Sequence, residues 1–130
     1  MQITIDTSVI IAVLLDEPER ERLIAVTTDA EVIVPASLHW EIGNAFSAMF
    51  KRKRITLKDA QHAISEYENI VLRTVDIKLS DVLKIADKYG IYAYDAYFIV
   101  CAAMLRTPLL TLDKSLANMA KKNRIQVLEA

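Results

Sequence analysis

The 130 residues predict an α/β fold, three layers of α/β/α built on a central, mostly parallel sheet of four to five strands. Short β-branched, apolar runs alternate with stretches of helical periodicity in the order β-α-α-β-α-α-β-α-α-β-α-β, the pattern of parallel strands joined by helical crossovers. Two of those runs, the first and the fourth, end in an aspartate, Asp6 and Asp113. With 53% hydrophobic residues, only 2 Gly and 3 Pro, and no repeat, linker or low-complexity segment, the chain can bury one core and is too short for two ordinary domains. Residues 1–130 are therefore expected to form a single domain.

Ile3 and Ile5, with Thr4 between them, form a short buried strand, and the apolar run Val9 to Leu15 forms a helix. Asp6-Thr7-Ser8 is thus a strand-to-helix junction. In a parallel sheet such a junction lies outside the carboxyl end of the strand, where these folds place their sites. Asp16-Glu17-Pro18-Glu19 opens a second helix, with proline in its first turn and acids near the positive end of its dipole. Glu31 to Pro35 is a strand ended by proline. A helix begins near Ser37 and buries Leu38, Ile42, Ala45, Phe46 and Met49. Glu41 lies at the edge of that stripe, and Asn44, three positions on, shares its face.

Lys51-Arg52-Lys53-Arg54 closes the helix, and Thr56-Leu57-Lys58-Asp59 opens another that runs to about Ile70. Val71 to Val75 is a third strand, and Lys78 to Tyr89 a helix ended by Gly90. Asp95 stands at the start of a helix that is almost wholly apolar to Leu105 and therefore buried. Pro108 to Asp113 repeats the opening pattern of a strand ended by Asp, with Thr111 and Asp113 projecting to the same side of an extended chain. Lys114 to Lys122 is helical, and Gln126 to Leu128 is a strand at the sheet edge.

The net charge of -1 conceals an asymmetry: residues 1–50 carry 2 Lys/Arg against 8 Asp/Glu, and residues 51–130 carry 14 against 9. A metal site facing a polyanion would need both signs, and a mixed solvated surface gives the same count. The basic run 51–54 suits the negative end of a helix dipole as it stands; phosphate or a partner's acidic face is the functional alternative. Tyr92, Tyr94 and Tyr97 read as core or rim before they read as a base-stacking platform. Cys101, in an apolar setting, reads as a core thiol, and one cysteine forms no disulfide within the chain, which fits a reducing cytoplasm. The Val9 to Leu15 run lacks the basic flank of a signal peptide and is too short to span a bilayer, so no membrane association is expected.

Taken singly, Asp6, Asp95 and Asp113 could each be a helix cap. Taken together with Glu41, they can converge above the carboxyl edge of the sheet. Carboxylates sharing a site raise one another's pKa, and a divalent cation relieves the repulsion. Oxygen donors without a His or Cys pair suit Mg²⁺, with Mn²⁺ as a substitute, better than Zn²⁺. His39 and His62 lack zinc spacing and read as ordinary surface or core. A hard cation that keeps its waters can bind a phosphodiester and acidify a water, which points to phosphodiester hydrolysis with one or two ions.

Ile5-Asp6-Thr7-Ser8-Val9-Ile10, Pro35 to Asn44, Tyr94-Asp95-Ala96-Tyr97 and Thr111 to Ala117 together resemble a PIN domain, and most nearly the VapC toxins of VapBC toxin–antitoxin pairs. The resemblance spans nearly the whole chain. It implies that Asp6, Glu41, Asp95 and Asp113 form the Mg²⁺-binding catalytic pocket of an endoribonuclease, supported by Thr7 or Ser8, Asn44 and Thr111. It also implies a homodimer and inhibition by a cognate VapB antitoxin. Three other readings compete: a PIN nuclease of RNA processing outside toxin–antitoxin systems, a non-catalytic protein- or RNA-binding module, and a flavodoxin-like receiver. The receiver would want a second acid beside Asp6, which its neighbours do not supply.

Overall fold

In the computed structural model, which describes residues 1–129, the strand that carries Asp6 lies at the centre of the sheet. This strand, β1 (Gln2–Ile5), is flanked on one side by β2 (Glu31–Pro35) and then β3 (Arg73–Val75). On its other side lie β4 (Leu109–Leu110) and then β5 (Val127–Leu128), and every pairing is parallel. The order β3-β2-β1-β4-β5 departs from the 2-1-3-4-5 order of flavodoxin-like receivers and excludes that reading. Between the strands run α1 (Thr7–Leu14), α2 (Arg20–Thr27), α3 (Ser37–Lys51), α4 (Leu57–Glu68), α5 (Leu79–Tyr89), α6 (Ala93–Leu105) and α7 (Lys114–Lys122). The alternation expected from the sequence is the one observed.

Right-handed crossovers put α1 to α4, which carry the chain from β1 through β2 to β3, on one face. The chain then reverses direction across the sheet, so α5 to α7 cover the other face; α1 touches α2, α3 and α4, α6 touches α5 and α7, and α3 and α6 also meet each other. Because both faces are covered, β1 is buried without alternation: Ile3, Thr4 and Ile5 are all inside. The Thr4 hydroxyl is satisfied by Thr107 Oγ at 2.7 Å, with Cys101 Sγ at 3.7 Å. Cys101 is fully buried, and burial pushes its thiol up, which makes it the core residue its setting implied.

Several boundaries differ from the sequence reading by a residue or two, and three of the differences have a visible setting. The second helix begins at Arg20, so Pro18 and Glu19 belong to the turn before it, where Asp16 takes a left-handed φ of 53° and Arg20 N–H bonds the Glu17 carbonyl. The strand β3 begins at Arg73, where its ladder with β2 starts, and Val71 before it is 90% exposed. The strand β4 stops at Leu110 rather than running to Asp113. Past that point side chains replace the ladder: Ser8 Oγ accepts the Leu112 N–H at 3.0 Å and Thr111 Oγ accepts the Asp113 N–H at 3.0 Å. Within α3, Leu38, Ile42 and Phe46 are buried, whereas Ala45 and Met49 are only half-buried. Among the described residues no helix is long and apolar enough to cross a membrane.

Candidate active site

The chain leaves β1 and β4 side by side at the carboxyl edge, at the point where the strand order turns from one side of β1 to the other. That is the crevice in which open α/β sheets bind ligands. Asp6 occupies the N-cap position of α1 but closes no cap hydrogen bond with its side chain, although the Val9 N–H in the first turn lies near enough to lower its pKa. Instead its two oxygens are held by hydroxyls, Oδ1 by Ser8 Oγ at 2.6 Å and Oδ2 by Thr111 Oγ at 2.8 Å. Ser8 and Thr111 are themselves 3.5 Å apart, so β1, α1 and the end of β4 are tied through one carboxylate. Asp6 is 6% exposed, and burial raises its pKa to about 6 against the lowering effect of those hydroxyls, with the Asp113 charge adding to the rise.

Glu41 sits in the second turn of α3, half-buried and facing the same crevice. Burial and then the charges of Asp6 and Asp95 raise its pKa to about 8. Thr7 is its one counterweight, yet the pair complete no hydrogen bond: Thr7 Oγ and Glu41 Oε2 are both buried without a partner. Asp95 lies in the first turn of α6, whose N-cap is Tyr92, and it makes no cap bond. Burial and the Asp113 charge raise its pKa. Asp113 does cap a helix: its Oδ1 accepts from the N–H groups of Ser115 at 2.9 Å and Leu116 at 3.1 Å.

The four acids are therefore linked by charge: Asp6 and Asp95 act on Glu41, and Asp113 acts on Asp6 and Asp95. They are not drawn in on one point: among the described residues no three His, Cys, Asp or Glu side chains stand close enough to ligate a common ion. The donor set nevertheless fits a hard divalent cation. All donors are oxygens, the cluster is short of positive charge, and Glu41 Oε2 is an orphaned buried acceptor, which is costly unless something supplies charge to it.

Of the supporting residues, Ser8 and Thr111 join the site directly and Thr7 lies beside Glu41. Asn44 is exposed on the next turn of α3 and makes no side-chain hydrogen bond among the described residues. One residue escaped the sequence reading. Ser37, one helical turn before Glu41, has a buried hydroxyl without a partner, and its signal was the i, i+4 spacing that puts it on the Glu41 face. His39 stays at the surface, stacked on Tyr67 at 6.0 Å and bonded to its hydroxyl at 3.4 Å, and His62 pairs with Glu66 at 3.3 Å. Tyr92 and Tyr94 are exposed at the rim beside Asp95, while Tyr97 packs inward.

A family model described as the PIN domain matches residues 3–122. No curated protein sequence matches the chain. Among solved structures the fold is similar to PAE2754 from Pyrobaculum aerophilum, with a TM-score of 0.72, 20% identity, and 92% of this chain and 79% of that one covered. It is similar to VapBC2 from Rickettsia felis, solved bound to a DNA fragment from their promoter, with a TM-score of 0.68, 12% identity, and 99% and 98% covered. It is also similar to FitAcB from Neisseria gonorrhoeae, with a TM-score of 0.61, 19% identity, and 98% and 96% covered.

Proposed function

The chain belongs to the PIN domain family, and from that premise we propose that it is a Mg²⁺-dependent endoribonuclease, a VapC-type toxin held in check by a cognate VapB antitoxin. In this reading residues 1–130 act as one PIN domain in the cytoplasm, as a homodimer, on an RNA substrate. The likeness to the VapBC2 and FitAcB structures supports the toxin assignment through the fold. The observation that carries the catalytic reading is the unpartnered Glu41 Oε2, buried near Asp6 and Asp95, which Asp113 in turn approaches.

Asp6, Glu41, Asp95 and Asp113 would hold the cation, Mg²⁺ or Mn²⁺ in its place, one or two of them directly and the rest through the waters such an ion keeps, since among the described residues no three stand within reach of a common ion. When bound, it supplies positive charge to the scissile phosphate and lowers the pKa of a water. Ser8 and Thr111 hold both oxygens of Asp6, so this one ligand is oriented before substrate arrives. Glu41 keeps its proton up to about pH 8 in the metal-free site and gives it up when positive charge enters. Once ionised, Glu41 and Asp95 can accept a proton or a hydrogen bond from the attacking water. The cap bonds on Asp113 Oδ1 hold that side chain to the start of α7.

The test is cleavage mapping of total RNA in Mg²⁺ with the wild type and Asp95→Asn in parallel. Discrete cuts by the wild type that vanish in the variant support the proposal. Equal cutting by both, or none by either, sinks it. A nuclease of RNA processing outside toxin–antitoxin systems would cut in the same assay, and an antitoxin reading frame beside this one distinguishes the toxin.

A further inference from the structure

The four cations at the end of α3 have no role in the pocket, and their surroundings give them one. Lys51, Arg52, Lys53 and Arg54 are all exposed, and among the described residues none lies within ion-pair distance of a carboxylate. The helix end that carries them is fixed: Lys53 N–H bonds the Phe50 carbonyl at 3.0 Å and Arg54 N–H bonds the Met49 carbonyl at 3.0 Å, with Lys53 at a left-handed φ of 54°. Beside it, α3 and the turn after α1 leave a groove of about 610 Å³ with Ala45, Ala48 and Met49 along its floor, Arg52 and Arg54 at one end and the single acid Glu17 on its wall. The stripe that starts at Glu41 continues through Ala45 and Ala48 to Arg52, because 3.6 residues per turn bring positions 41, 45, 48 and 52 to one face. The small alanines keep the stripe open. Arg52 then stands about 16 Å along the helix from Glu41.

We propose that this groove carries the phosphodiester backbone of the substrate, with Arg52 and Arg54 contacting phosphates several nucleotides away from the bond that is cut. The inference rests on the nuclease reading of the acidic pocket and adds to it the path of the strand. An anionic pocket repels a polyanion everywhere except at its cation, so affinity has to come from elsewhere on the surface. The basic end of the helix that carries Glu41 supplies it.

The experiment compares Arg52→Ala/Arg54→Ala with Arg106→Ala/Arg124→Ala, a second pair of exposed arginines lining a groove, here where α6 and α7 end on the other face of the sheet. Both variants lose the same charge. Steady-state cleavage of a labelled RNA that the wild type cuts is followed in Mg²⁺ over a series of salt concentrations. The first pair should raise KM roughly fivefold or more at low salt with kcat little changed, and flatten the dependence of log(kcat/KM) on log salt by about 1.4 for two lost phosphate contacts. Arg52→Lys/Arg54→Lys should recover most of the loss, and the second pair should match the wild type. Equal effects of the two alanine pairs would reduce the groove to bulk charge and overturn the proposal. An unchanged KM in the first pair would also overturn it and leave the cations to an acidic protein partner. A wild type that cuts no RNA overturns the nuclease reading itself, and this proposal with it.

Discussion

Replacing Glu41 by glutamine should stabilise the metal-free protein at alkaline pH while removing a group the reaction needs. A carboxyl that titrates near 4.5 in the unfolded chain and at about 8 in the folded one binds more protons folded than unfolded between those values. It therefore favours the fold least once pH has risen through 8. Were the group sealed from water, the rise would cost about 4–5 kcal/mol above pH 8 at 1.36 kcal/mol per pH step. Glu41 is half-buried, and water on its open side screens the charges of Asp6 and Asp95, so about 1–2 kcal/mol is the expected loss. Asp6, raised to about 6, adds a loss of the same sign at lower pH. Urea unfolding in EDTA at pH 5, 7 and 8.5 reads this directly. The wild type should weaken with rising pH, Glu41→Gln should weaken much less, and the two should be nearly equal at pH 5. A variant that unfolds more easily than the wild type at pH 8.5, or that keeps the full pH dependence, would show that Glu41 is not a strained acid.

Two further substitutions separate structure from chemistry. Ser8→Ala removes a donor to Asp6 and the acceptor of the Leu112 N–H, so it should cost about 1–3 kcal/mol in thermal or urea unfolding. Because the Ser8 bond lowers the Asp6 pKa, the acid limb of the pH profile for RNA cleavage should move upward in the same variant. Asp113→Asn keeps an oxygen to cap α7 and should cost under about 1 kcal/mol, whereas Asp113→Ala loses the cap and should cost about 1 kcal/mol more; both should cleave poorly. If Asp113→Asn cleaves at the wild-type rate in Mg²⁺, Asp113 is a cap and nothing else.

The order of elements was legible because every strand and helix carries its own local signal. Ile3-Thr4-Ile5 is β-branched, Gly90 ends α5 in the left-handed conformation, and Thr56 caps α4 through the Asp59 N–H. What was not legible depends on the third dimension. The strand β4 looks like six residues in sequence and is two, because Ser8, a hundred residues earlier in the chain, takes the hydrogen bond that would have extended it. Asp6 and Asp113 look alike at the ends of apolar runs, yet only Asp113 caps a helix. Asp6 is claimed by Ser8 and by Thr111, just past the end of the neighbouring strand, a pairing set by the sheet order and invisible to local pattern. Asn44 shares the helix face of Glu41 by spacing, but the acids lie toward α1 and α6 and leave it in solvent.

Titration with Mn²⁺ followed by electron paramagnetic resonance asks most directly whether these distant side chains form one cation pocket. The wild type should take up Mn²⁺ at a saturable site that Mg²⁺ competes for, and Asp6→Asn should lose that uptake while still folding. A wild type that leaves all of its Mn²⁺ free in solution, or an Asp6→Asn protein that binds it as tightly, would contradict the account.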